Sequence, residues 1–168
     1  CKSKLSPWLP FDFHYWHLQN HMKQKLYSKA VETHLLLKRY INIHDEIFVI
    51  RKGVIGIVKK LFESIDYKSY STRLSETNSE LVSILTDLAL LDKQDLSDSD
   101  SQLKDTLTQF IEDLIKTIRK LSSICKRLSQ KADGKTYSIN EYNADIREYQ
   151  NLINIYQAQG INLNRYFH

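Results

Sequence analysis

Apolar residues recur along most of this chain at alternating steps of three and four, the seam of helices laid along other helices. Leu36, Tyr40, Ile43, Ile47, Ile50, Val54, Ile57 and Leu61 follow one another at steps of 4, 3, 4, 3, 4, 3 and 4. With Asp12 as N-cap, the pattern predicts one long helix over 12–65, whose 54 residues would reach roughly 80 Å. Asn42 and His44 offer a cap for a new helix midway, but the phase passes through them without a slip, so continuity is expected. Gly53 and Gly56 suit close helix packing or a slight bend, not a phosphate loop. Lys29 and Thr33 occupy seam positions before Leu36, which marks the N-terminal half of the helix as the part expected to project beyond the others.

Three shorter helices are expected to pack along it. The stretch 66–79 is polar and rich in Ser, Thr and Tyr, which suits a chain reversal. Thr77 and Glu80 fit a capping box, with Ser69 or Ser71 as an earlier start. Leu81, Ile84, Leu85, Leu88 and Leu91 then form one apolar face ending near Lys93. Asp92 to Ser101 is an acidic linker whose residues suit helix capping; it lacks the Gly and terminal Glu of a calcium loop. Leu107, Ile111, Leu114, Ile118, Leu121, Cys125 and Leu128 make the cleanest seam, in a helix over 102–130. Asp133-Gly134 signals a turn, and Ser138 with Glu141 a second capping box. Ile139, Tyr142, Ile146, Tyr149, Ile153 and Tyr156 form the last seam, which Gly160 is expected to close.

The chain therefore reads as all-α, an antiparallel helical bundle of about four helices with one long N-terminal helix. Residues 1–11 form a tether, because Pro7 and Pro10 bar helix there, and 12–168 form a single domain. Four Gly, two Pro and 42% hydrophobic residues in 168 agree with a helical core. The net charge of +4 hides block sums of +7 over 1–60, −8 over 61–113, +6 over 114–135 and −1 over 136–168. Alternating signs suit helices lying side by side. The basic run Lys116, Arg119, Lys120, Lys126, Arg127 and Lys131 reads as a wet helix face, with the acidic second helix as a candidate neighbour, and nucleic acid is not an expected partner.

Cys1-Lys2-Ser3-Lys4 resembles the mature start of a bacterial lipoprotein, in which Cys1 carries lipid. The resemblance implies a membrane partner through lipidated Cys1, and Lys2 beside it implies sorting to the outer membrane of the cell envelope. Trp8, Leu9 and Phe11 then either lie at headgroup level or cap the end of the bundle.

Candidate chemistry is sparse. His14, His17 and His21 are spaced i, i+3, i+7 on one helical face and offer nitrogen ligands to a metal, but no Asp, Glu or Cys joins them. Tyr142, Tyr149 and Tyr156 repeat every seven residues. That stripe suits either the margin of a core or a groove that binds another protein. Cys125 is expected as a buried free thiol. Nucleotide, haem, di-iron and hydrolase motifs are lacking, so no cofactor and no catalysis are expected. The leading expectation is a non-catalytic, lipid-anchored envelope protein that binds another protein, as an assembly factor, immunity protein or complex subunit would. Alternatives are a secreted four-helix signalling protein of the cytokine type, with a Cys1–Cys125 disulfide, and a metal-binding bundle using the three histidines.

Overall fold

The computed structural model describes residues 13–52 and 65–167, with side chains placed over 21–48, 65–92 and 94–167. The described chain forms α1 (Phe13–Lys52), α2 (Tyr67–Ala89), α3 (Asp98–Ala132) and α4 (Ile139–Asn164), with one 3-10 turn at Lys93–Asp95. This is the expected all-α bundle. Its first helix is the longest of the four, 40 residues, or about 60 Å. The tether 1–11 and the seam residues Val54, Ile57 and Leu61 lie outside the described residues.

Cross-helix pairs fix the directions. Lys29 Nζ lies 2.8 Å from Asp87 and Arg73 2.6 Å from Glu46, so α1 and α2 are antiparallel. Ser71 meets Ser122 at 3.0 Å while Lys104 reaches the Leu91 carbonyl, so α2 and α3 are antiparallel. Arg127 bonds Glu141 at one end of the α3–α4 pair, and the Phe110 and Tyr156 rings meet 6.3 Å apart nearer the other. Tyr27 touches Phe167 while Phe48 stacks on Tyr149, which runs α4 antiparallel to α1.

The axis of the bundle is α3, not the long α1. All seven residues of its expected seam are buried, and Leu103, Phe110, Ile115 and Ile124 are buried beside them, because α3 packs against the other three helices. A helix met on three sides needs an apolar arc wider than one seam.

Three boundaries differ from the sequence expectation. First, α2 starts ten residues before Thr77, at Tyr67, where the Asp66 carboxylate accepts the Ser69 backbone N–H at 2.9 Å. Thr77 is a buried seam residue between Leu74 and Leu81. The Ser/Thr-rich stretch is helical because Leu74, Thr77 and Leu81 are buried along one face, and its hydroxyls are satisfied by donating to carbonyls four residues back: Thr72 to Lys68, Ser75 to Ser71, Thr77 to Arg73 and Ser79 to Ser75. Second, α3 starts at Asp98 with Ser97 as N-cap, and Asp98 and Asp100 sit in the first turn, where negative charge favours the helix dipole. Third, α4 runs through Gly160 to Asn164.

From Leu26 onward α1 also departs from the expected projection, for Leu26, Ala30 and Thr33 continue the buried face into the bundle. Thr33 disposes of its hydroxyl by donating to the Lys29 carbonyl at 2.7 Å. Lys29 lays its stem along the seam and carries its ammonium out to Glu32 and Asp87. Residues that looked unfit for a dry core are thereby accommodated in it.

Gly134, at φ 88°, makes the α3–α4 turn as expected. The Ser138–Glu141 capping box is complete: Glu141 N–H donates to Ser138 Oγ at 3.2 Å, and Ser138 N–H donates to Glu141 Oε2 at 2.8 Å. Ile139, expected on the α4 seam, is instead exposed in the first turn.

Candidate functional site

Two places gather polar or apolar side chains in ways the packing alone does not require. The first is an ion cluster between α3 and α4. Asp145 accepts from Tyr137 Oη at 2.7 Å, Arg127 at 2.7 Å and Lys120 at 2.9 Å. Arg127 also bonds Glu141 at 2.6 Å and lies over the Tyr137 ring, 4.2 Å from its centroid. Burial pushes the Asp145 carboxyl up, but the Tyr137 hydroxyl and the Lys120 and Arg127 charges outweigh it and hold the group below the usual carboxylate range. With three donors already on it, the carboxylate has little capacity left to accept a substrate proton. The cluster fastens the start of α4 to α3. The basic face of α3 thus pairs chiefly with α4, while Arg119 alone reaches α2, donating to Asn78 at 3.1 Å.

The second place is the seam between α1 and α4. Toward the C-terminal half of α1 the two helices are joined by aromatic rings: Tyr40 Oη is 2.6 Å from Tyr149 Oη, Tyr40 meets Tyr156 edge-on at 6.0 Å, and the His44 and Phe48 rings each lie 6.0 Å from that of Tyr149. Toward the N-terminal half the facing residues shrink to Ala30, Thr33 and Gly160. With the spacing of the two helices set by the aromatic rings, these small side chains do not span the gap, and a groove of about 840 Å³ opens between the helices. Phe110 of α3 and Tyr156 floor it, and Tyr27, edge-on to Phe167 at 5.8 Å, closes its end.

The groove is apolar and its lips stand in water. Val31 on the α1 lip is 60% exposed and Ile161 on the α4 lip 64%. No Asp or Glu lines it; its polar groups are Thr33, His34, Gln157 and Asn164. Lys38 is exposed near the α1 lip, and Lys23 lies over the Tyr27 ring at 5.8 Å. Glu32, within the same span of α1, lies on the α2 side, where it bonds Lys29 at 2.8 Å, and Asp45, a turn past Ile41, lies 3.2 Å from His44 Nδ1. From Tyr149 to Asn164, α4 carries no charge.

The tyrosine stripe divides. Tyr149 is buried against Tyr40, Tyr142 is half-buried edge-on to Tyr137 at 6.0 Å, and Tyr156 is buried yet forms part of the groove. Burial pushes the Tyr40, Tyr149 and Tyr156 hydroxyls up. Cys125 is free and fully buried in the α3 seam, its thiol pushed up to about 12 by burial. Its proposed partner Cys1 lies outside the described residues. His14 and His17 fall on the first turns of α1 with side chains outside the described set, and His21 is exposed. Among the described residues no three His, Cys, Asp or Glu converge as a metal site, and no buried side-chain nitrogen or oxygen lacks a partner. No described helix is long and apolar enough to cross a membrane.

Sequence reasoning missed the groove, although Leu37, the one residue of Leu35-Leu36-Leu37 that lines it, carried a signal. Three consecutive leucines cover about 200° of a helix, more than one seam can bury; Leu36 is buried, Leu37 half-buried and Leu35 exposed. No family model, curated protein or solved structure matches this chain.

Proposed function

We propose that this protein acts without catalysis, by holding another protein in the groove between α1 and α4. The observation that carries the reading is the apolar slot floored by Phe110 and Tyr156, with Val31 and Ile161 exposed on opposite lips. Apolar side chains grouped around a concavity mark binding surfaces more often than scattered ones do. The polar clusters support the same view from the other side, since the Asp145 carboxylate is already occupied by three donors from the protein itself.

A photo-crosslinking residue placed at Val31, Ile161 or, as a control on α2, Glu76 tests the reading in the cells that make the protein. The same protein adduct from Val31 and Ile161, absent from Glu76, supports it. No protein adduct at either lip, or the same adducts at all three positions, overturns it. The lipid anchor expected at Cys1 is a separate part of the proposal. It rests on Cys1-Lys2-Ser3 alone, and intact-mass analysis of the native protein decides it: a diacylglycerol thioether on Cys1 supports the anchor, and an unmodified thiol sinks it.

A further inference from the structure

We infer that the occupant of the groove is an amphipathic helix of a partner protein with acidic residues flanking its apolar ridge. The inference rests on the groove being the binding site and adds the class and charge of what fills it.

Dimensions favour a helix. The α1 wall runs from Tyr27 to Ile41, four helical turns or about 21 Å. A helix laid there completes the packing that Ala30, Thr33 and Gly160 leave open between α1 and α4. The lips decide against a thin chain. An acyl chain lying in the slot leaves Val31 and Ile161 in water, whereas a helix roughly 10 Å across covers both.

Charge sets the flanks. On the α1 side Lys23 and Lys38 flank the slot, whose lining holds no acid; Glu32, within the same span of α1, is bonded to Lys29 on the α2 side, and the facing stretch of α4 is uncharged. Acidic residues on the side of the visiting helix that faces α1 meet those lysines, while a basic helix meets like charge. Exposed pairs of this kind act on partner choice and encounter rate more than on total affinity.

The probes are three designed peptides with the same Leu/Ile ridge, each about 15 residues to match the wall, carrying Glu, Gln or Lys on the flanks. They are titrated into methyl-labelled protein while the Val31, Leu37 and Ile161 signals are followed. The Glu peptide is expected to shift these methyls and to bind roughly tenfold tighter than the Lys peptide, the gap narrowing as salt rises. A Lys23→Glu/Lys38→Glu double variant is expected to reverse the order. Equal or tighter binding of the Lys peptide overturns the charge assignment, while the lip crosslinks decide the groove reading independently. No methyl shift with any peptide overturns the helix. Shifts given instead by palmitate, by a peptide of residues 1–12 or by raising the protein concentration also overturn it, and assign the groove to an acyl chain, the protein's own N-terminal segment or a second copy.

Discussion

The hydroxyls of Tyr40 and Tyr149 lie 2.6 Å apart inside the bundle, where α1 and α4 come together. Each is almost fully buried, so each depends on the other for what water no longer supplies. Removing one hydroxyl strands its partner, at a cost of about 1–3 kcal/mol, while removing both leaves nothing unpaired. Tyr40→Phe and Tyr149→Phe are therefore each expected to lower stability in urea unfolding, with the double variant costing clearly less than the sum. Additive losses would show that the two hydroxyls are not coupled.

The same burial gives an alkaline limb. The Tyr40, Tyr149 and Tyr137 hydroxyls are raised above their ordinary value of 10.0, burial being the largest cause in each. In the unfolded chain they ionise near pH 10, whereas in the folded one they keep their protons, so stability present below that pH is lost as pH rises beyond it. Tyrosinate absorbance is expected to show part of the ten tyrosines ionising only together with loss of helical circular dichroism. Complete ionisation of a still-folded protein contradicts this.

Much of this architecture was legible from spacing. The α3 seam, the Ser138 cap and the buried Cys125 follow from steps of three and four, because the core of an antiparallel bundle repeats with the helix period. The α2 start was not legible. Hydroxyls that favour turns in isolation are turned back onto their own helix there, and Leu74, Thr77 and Leu81 hold the segment against its neighbours. Nor was the rank of α3. A seam shows that a helix has one buried face, but its number of neighbours depends on the flanking Phe110, Ile115 and Ile124. The groove was least visible, because it arises from small residues on separate helices, Ala30 and Gly160, meeting across a gap.

Asp145 predicts the acid limb. Its carboxyl is held below the usual 3.8, so its contribution is present above that value and is lost as pH falls through the lower folded one. Glu141 is lowered too, by the Ser138 backbone and hydroxyl bonds and by Arg127. Asp145→Asn is expected to lose about 1–3 kcal/mol at pH 7, since Lys120 and Arg127 lose a half-buried anionic partner. It is also expected to flatten the fall in stability below pH 4, leaving a residue that Glu141→Gln reduces further. An unchanged acid limb in the Asp145 variant contradicts the assignment.

Gly160 places stability and the groove in one position. It lies inside α4, where alanine is favoured over glycine by about 1 kcal/mol. An added Cβ meets Phe110 Cε2 at 3.3 Å, so the ring must give by a few tenths of an ångström. It has room, because Phe110 floors the groove and borders open space on that side. Gly160→Ala is therefore expected to raise stability by roughly 0.5 kcal/mol, the propensity gain less the cost of the shifted ring. Gly160→Leu projects a bulky side chain into the slot and is expected to weaken the Glu peptide by at least tenfold, about 1.4 kcal/mol, while the fold persists. Thermal unfolding and peptide titration read the two variants together. A lower melting temperature for the alanine variant shows that Phe110 is held too tightly to move. Undiminished peptide binding to a folded Gly160→Leu protein shows that the peptide does not enter this end of the groove.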